Sequence, residues 1–202
     1  MGITSLFLQA AVIAFGGSFL EKKYLPFSQL AFLADSSAVA GLSRGFGLYL
    51  AAMVCASFWV SVYGMSVGRA RSKYMALAQK DGEKDAKLRY SLPNMYVEGT
   101  SPHARAFNCV QRSHQNIMET LPQFLLFSLA SALSFPVTTA AACALWLKAR
   151  MVWARGYAGS EGDPAKRYDH PFARHIWTTL IATFFMAIMS SANLMAEESF
   201  FW

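Results

Sequence analysis

Uncharged apolar runs long enough to cross a lipid bilayer constrain this chain more than any other feature. They occur at Met1–Leu20, Gly45–Gly68, Thr120–Leu147 and His175–Ala196. A helix needs roughly 20 mostly apolar residues to cover about 30 Å of hydrocarbon. The composition agrees: 54% of the residues are hydrophobic and only 15% are charged, where a soluble domain carries about 25% charged residues. That deficit excludes a disordered chain and a nucleic-acid-binding module. Cys55, Cys109 and Cys143 are too few for a disulfide scaffold. The class reading is an all-α integral membrane protein.

The third run is too long for a single span, and Ser134-Phe135-Pro136 interrupts it. It reads as two helices joined by a tight turn, with Pro136 at a first-turn position that tolerates it. Four core spans follow, at about 46–73, 104–134, 137–158 and 172–195. Residues 1–42 form a hydrophobic extension to a domain at 43–202. The extension lacks the basic n-region of a secretory signal and any arginine of a transit peptide. It reads as an anchor, a membrane-surface helix or an element packed on a partner. The net charge of +6 sits in a few clusters. Arg69, Arg71, Lys73, Lys80, Lys84, Lys87, Arg89 and Arg105 separate the first two core spans, and Lys166, Arg167 and Arg174 the last two. By the positive-inside rule both basic loops face the cytosol, or the matrix of a mitochondrion.

Two spans carry polar residues that lipid would reject. Asn108, Arg112, Gln115 and Glu119 recur at steps of four, three and four. On a helix these lie at about 0°, 40°, 340° and 20°, with Asn116 near 80° and His114 off the stripe near 240°. Arg150, Trp153 and Tyr157 share a face of the next span, at i, i+3 and i+7. Polar side chains between membrane helices often serve only as interhelical contacts, worth about 0.6 kcal/mol each. An intramembrane charge costs at least about 2.5–3.5 kcal/mol, so Arg112, Glu119 and Arg150 together point to a cavity, a bundle interior or a partner. At i and i+7, Arg112 and Glu119 are expected to neutralise each other only through an intermediary or a neighbouring chain. That gap suits a ligand offering both a carboxylate and an ammonium. No CxxC, HExxH, GxGxxG or phosphate-loop motif is present, and His103, His170 and His175 lack metal-ligand spacing.

The string FNCVQRSHQNIME at Phe107–Glu119 closely resembles the signature of the MAPEG superfamily, the membrane-associated proteins of eicosanoid and glutathione metabolism. It is most similar to the type-3 microsomal glutathione S-transferases within it. ARSKY (Ala70–Tyr74), LPNMY (Leu92–Tyr96), RMVWARGY (Arg150–Tyr157) and DPAKR (Asp163–Arg167) support the likeness, which covers roughly residues 45–195. The resemblance implies a four-helix membrane bundle with an extra N-terminal segment, assembled as a homotrimer with glutathione between subunits. Arg112, Asn116 and Glu119 would then hold the γ-glutamyl end of glutathione. Arg71 and His114, from a neighbouring subunit, would approach its glycyl carboxylate, and Arg150, Trp153 and Tyr157 would line the pocket. The thiol-activating cation would be Arg167, with Lys166 as its rival. Departures from the pattern are Trp153 in place of a tyrosine, Thr120-Leu121 beside the glutamate, Ser72 in place of a second basic residue, and about two residues inserted before Pro164.

Two functions follow from the resemblance. One is a glutathione-dependent membrane transferase or peroxidase acting on hydrophobic electrophiles or lipid hydroperoxides. The other is a non-catalytic accessory subunit of a large organellar membrane complex, such as a respiratory complex, surrounded by unlike chains. Endoplasmic reticulum and mitochondrial membranes are both open locations. In either case membrane lipid is a partner and nucleic acid is not.

Overall fold

The computed structural model describes residues 2–24 and 44–196, and every regular element among them is helical. Residues 25–43, which include the rest of the expected N-terminal extension, lie outside the described residues. The helices are α1 (Ile3–Tyr24), α2 (Arg44–Lys80), a single turn α3 (Ala86–Arg89), α4 (Pro102–Ala132), α5 (Pro136–Ala158) and α6 (His175–Met195). Two 3₁₀ segments, Pro164–Tyr168 and Pro171–Arg174, connect α5 to α6. The four expected core spans are thus α2, α4, α5 and α6. The break between α4 and α5 falls at the expected turn, and Pro136 is the first residue of α5.

Length and hydropathy alone qualify α1, α2 and the segment Pro171–Met195 as spans. The polar residues that mark α4 and α5 as unusual also lower their hydropathy, although 31 and 23 residues give each the length to cross.

Two compact units divide the chain. The first comprises Met1–Ala56, Leu121–Lys148 and His175–Trp202, and the second Ser57–Thr120 and Ala149–Arg174. In the first unit, Ala10, Ala14, Phe135, Ala142, Ala182, Met186 and Met189 form a buried core. Its helices approach closely through small residues and hydroxyls, as membrane helices do. Ser131 Oγ donates to the Thr183 carbonyl at 2.8 Å, and Tyr49 and Ser128 share a hydrogen bond at 3.3 Å. Phe124 stacks on Trp146 with ring centroids 4.4 Å apart.

Helix α1 is built into this unit. Phe7 and Phe15 each lie 6.3 Å from the Phe185 ring. A π-helical stretch at Val12–Gly16 precedes Gly17, where an added Cβ would sit 2.6 Å from Thr138 Cγ2. Only glycine permits that approach. It brings Glu21, 2% exposed, to the first turn of α5. There Val137 N–H donates to Oε1 at 2.9 Å and Thr138 N–H to Oε2 at 2.7 Å. The first N–H groups of a helix lack internal partners and carry the positive end of its dipole. A carboxylate normally supplied by the preceding residue arrives instead from another helix. Glu21→Gln, which keeps one acceptor and turns an amide toward N–H donors, should cost about 1–2 kcal/mol of stability. Thermal unfolding in mild detergent checks this, and an unchanged midpoint would contradict it.

In the second unit Val67, Ala78, Ala86, Tyr90, Val97, Ala104, Phe107 and Val110 form the buried core. It fixes the loop between α3 and α4 against both long helices. Burial, with Glu83 nearby, pushes the Tyr90 phenol up to about 12.

Candidate functional site

The second unit carries an open groove of about 500 Å³, within the size range of small-molecule sites. Asn108, Cys109, Gln111, Arg112 and Gln115 of α4 form its floor. Tyr157 of α5, Tyr96 of the loop before α4, and Arg105, Gly162 and Pro164 complete its lining. Asn108, Arg112 and Gln115 of the polar stripe read from the sequence lie on this floor and Glu119 does not line it, while Phe107 and Ile117 turn into the core.

Arg112 and Glu119 pair directly. One guanidinium nitrogen donates to Glu119 Oε1 and the other to Oε2, the latter at 3.1 Å. This corrects the expectation that they need an intermediary. Seven residues rise about 10.5 Å along a helix, and two long side chains leaning toward each other close that distance. Both are about half exposed, at 47% and 50% of the side chain, so each remains open to exchange.

Arg150 lies elsewhere, 1% exposed in the interior of the second unit. It donates to Asn116 Oδ1 at 3.0 Å and to Thr120 Oγ1, and its guanidinium lies 5.7 Å from the Trp153 ring. Trp153 meets Tyr157 edge-on at 5.2 Å. The expected face of α5 is thus continuous from Arg150 to Tyr157. Asn116 faces that network, and neither Asn116 nor Arg150 lines the groove. The Trp153 indole N–H is buried with no acceptor among the described residues.

Arg71 and His114 both bind their own chain. Arg71 donates to the Tyr90 carbonyl at 3.2 Å and lies 4.6 Å over the Phe107 ring. His114 packs 6.2 Å from the Tyr63 ring. Arg167 and Lys166 separate clearly. The Arg167 guanidinium lies 5.6 Å over the Tyr157 ring and donates to the Pro164 carbonyl, whereas Lys166 is exposed. Gly156 fixes this arrangement, since a Cβ there would come within 2.8 Å of the Lys166 carbonyl oxygen. The 3₁₀ turn Pro164–Tyr168 can therefore rest directly on α5.

Three residues at the site are not among the site residues expected from the sequence, and a fourth, Asn108, is expected only as a member of the polar stripe. Gly156 seats the cation-bearing turn. Asn108 binds the backbone of Val97, accepting from its N–H and donating to its carbonyl, both at 2.8 Å. Arg105 donates to the Gly162 carbonyl at 3.1 Å. Tyr96 lines the groove. Gly156 and Tyr96 lie within the strings RMVWARGY and LPNMY.

The helical membrane architecture, the polar α4 stripe and the cation over Tyr157 bear on kinship. The model of the MAPEG family matches residues 47–192, well over half of the chain. The chain belongs to the MAPEG family. The match begins in the first turn of α2 and ends within α6, so α1 lies outside what the MAPEG family model covers. No solved structure gives a significant match. Membership makes this an integral membrane protein in contact with lipid, of a MAPEG family that is generally trimeric and glutathione-binding.

Proposed function

We propose that the chain is a glutathione-dependent transferase or peroxidase of the type-3 microsomal glutathione S-transferase kind, working as a homotrimer on hydrophobic electrophiles or lipid hydroperoxides. The observation that carries this reading is the half-exposed Arg112–Glu119 pair beside a groove whose Tyr157 wall lies under Arg167. Glutathione has two carboxylates, an ammonium and a thiol. Its γ-glutamyl carboxylate would take Arg112 and its ammonium Glu119, exchanging one ion pair for two. A half-exposed pair contributes about 0–1 kcal/mol, so opening it is inexpensive. Arg167 would stand beside the sulfur, where a cation favours thiolate over thiol. The thiolate would then attack an electrophilic carbon and displace its leaving group, or attack a peroxide oxygen, breaking the O–O bond to release the alcohol and leave a sulfenic acid that a second glutathione converts to the disulfide with loss of water. The bilayer would supply the apolar substrate. Arg71 and His114 would contribute across a subunit boundary, and Asn116, Arg150 and Trp153 would support the pocket from behind. The basic loops would face the cytosol of an endoplasmic-reticulum membrane or a mitochondrial matrix.

Calorimetric titration of the purified, detergent-solubilised protein with glutathione tests this reading. Saturable binding supports it, and none at millimolar glutathione would sink it. Gly156→Ala sharpens the assignment of Arg167. The added methyl forces the 3₁₀ turn off α5, at an overpacking cost of about 1–3 kcal/mol. Glutathione affinity should stay within about threefold, while the bound thiolate fraction, read by ultraviolet absorbance, falls about tenfold. Equal loss in Lys166→Ala and none in Arg167→Ala would reassign the cation.

The helix α1 and the absent tyrosine hydroxyl at Trp153 favour a second reading, an accessory subunit held as a single copy among unlike chains. Native mass separates the two: a trimer of the 22.3 kDa chain argues against it.

A further inference from the structure

The loop Ser91–Tyr96 is tied down at both ends. Before it, the Tyr90 carbonyl accepts from Arg71 and the Tyr90 ring packs 5.7 Å from Phe107. After it, Val97 is 1% exposed and its backbone N–H and carbonyl are both bound by the Asn108 side chain. One amide side chain thereby does what a neighbouring β-strand would do, satisfying a donor and an acceptor of the same buried residue. Between these anchors Leu92, Met95 and Tyr96 remain 78%, 57% and 62% exposed. Tyr96, one residue from the Asn108 clasp, lines the groove, as Tyr157 does. It also lines a second cavity of about 310 Å³ with Leu88, Asn94 and Met95. It is thus the partition between the two spaces.

We infer that Tyr96 is a ligand-contacting wall of the groove and that Asn108 is its positioning residue, acting through Val97 rather than on the ligand. The inference rests on the reading of the groove as a glutathione site. Asn108 shares the α4 stripe with Arg112, yet both ends of its amide are already engaged with backbone. A large exposed aromatic at this rim has no burial to gain within the chain. Its place beside Arg112 and Gln115 gives it the ring face that an extended tripeptide would lie against. Water competes for its hydroxyl, so the ring carries the contact.

Glutathione titration of the full chain, with variants, tests this. Tyr96→Ala should weaken binding about tenfold and Tyr96→Phe less than twofold. Asn108→Ala should weaken it about tenfold as well, while the double variant is no weaker than either single one, because Asn108 acts only through the wall it holds. Asn108→Asp, which retains the acceptor for Val97 N–H, should recover part of the loss. Hydrogen exchange should show the Val97 amide protected in the wild type and in Tyr96→Ala, and released in Asn108→Ala. Losses that multiply to about a hundredfold in the double variant would overturn the positioning role. Wild-type affinity in Tyr96→Ala, whose exposed side chain leaves the core untouched, would overturn the inference while leaving the glutathione reading intact. Absence of binding in the wild type removes both.

Discussion

Arg112→Ala is expected to abolish glutathione binding, weakening it more than a hundredfold, while the unfolding midpoint barely moves. The two halves of that result have different origins. A charged hydrogen bond contributes about 1.5–3 kcal/mol, and a guanidinium can give a carboxylate two of them. The substitution also takes the guanidinium away from beside Glu119, whose negative charge then repels the carboxylate that Arg112 would have received. Together these exceed the 2.7 kcal/mol that corresponds to about a hundredfold in affinity. Stability is another matter, because the Arg112–Glu119 pair is half exposed and such pairs contribute about 0–1 kcal/mol. Calorimetry beside thermal unfolding reads both quantities on one sample. Unaltered affinity would remove Arg112 from the site, and a collapse in stability would make it a structural residue.

Arg150→Ala should show the opposite pattern, losing about 2–5 kcal/mol of stability. Arg150 is 1% exposed and binds Asn116 and Thr120. Truncation removes the donor that Asn116 Oδ1 and Thr120 Oγ1 share and opens a cavity beside Trp153, and each of these adds to the cost. Arg150→Lys keeps the charge but not the planar fork, so it should recover only part. Denaturant unfolding in mild detergent measures the difference, and a loss below about 1 kcal/mol would contradict the buried network. Between them the two arginines separate what the polar residues of α4 and α5 do. One set is half exposed on a groove, and the other ties α4 to α5.

Much of this was legible in the sequence because membrane helices announce themselves locally. Spans, the Pro136 turn and the α4 stripe all follow from runs and periods within one helix. The face joining Arg150, Trp153 and Tyr157 followed from the same arithmetic. What escaped depends on approach between segments distant in the chain. Glu21 serves a helix 116 residues away, and no local motif records that. Asn108 looked like any other member of the stripe, since periodicity places a residue on a face without saying that its amide reaches the backbone of Val97. The Arg112–Glu119 contact was misjudged because angular spacing ignores side-chain length. The order of Lys166 and Arg167 was open in the sequence, and the close seat at Gly156 places the guanidinium over Tyr157. Helix α1, outside the family match, reads from the sequence as an anchor, a membrane-surface helix or an element packed on a partner. Its aromatic contacts and its carboxylate cap show a fifth helix integrated into the first unit.

The most direct test of the central claim is an experimental structure of the protein saturated with glutathione. The tripeptide should lie in the groove, with a carboxylate on Arg112, its ammonium on Glu119 and its sulfur beside Arg167. An Arg112–Glu119 pair still closed, over a groove holding no glutathione, would contradict it.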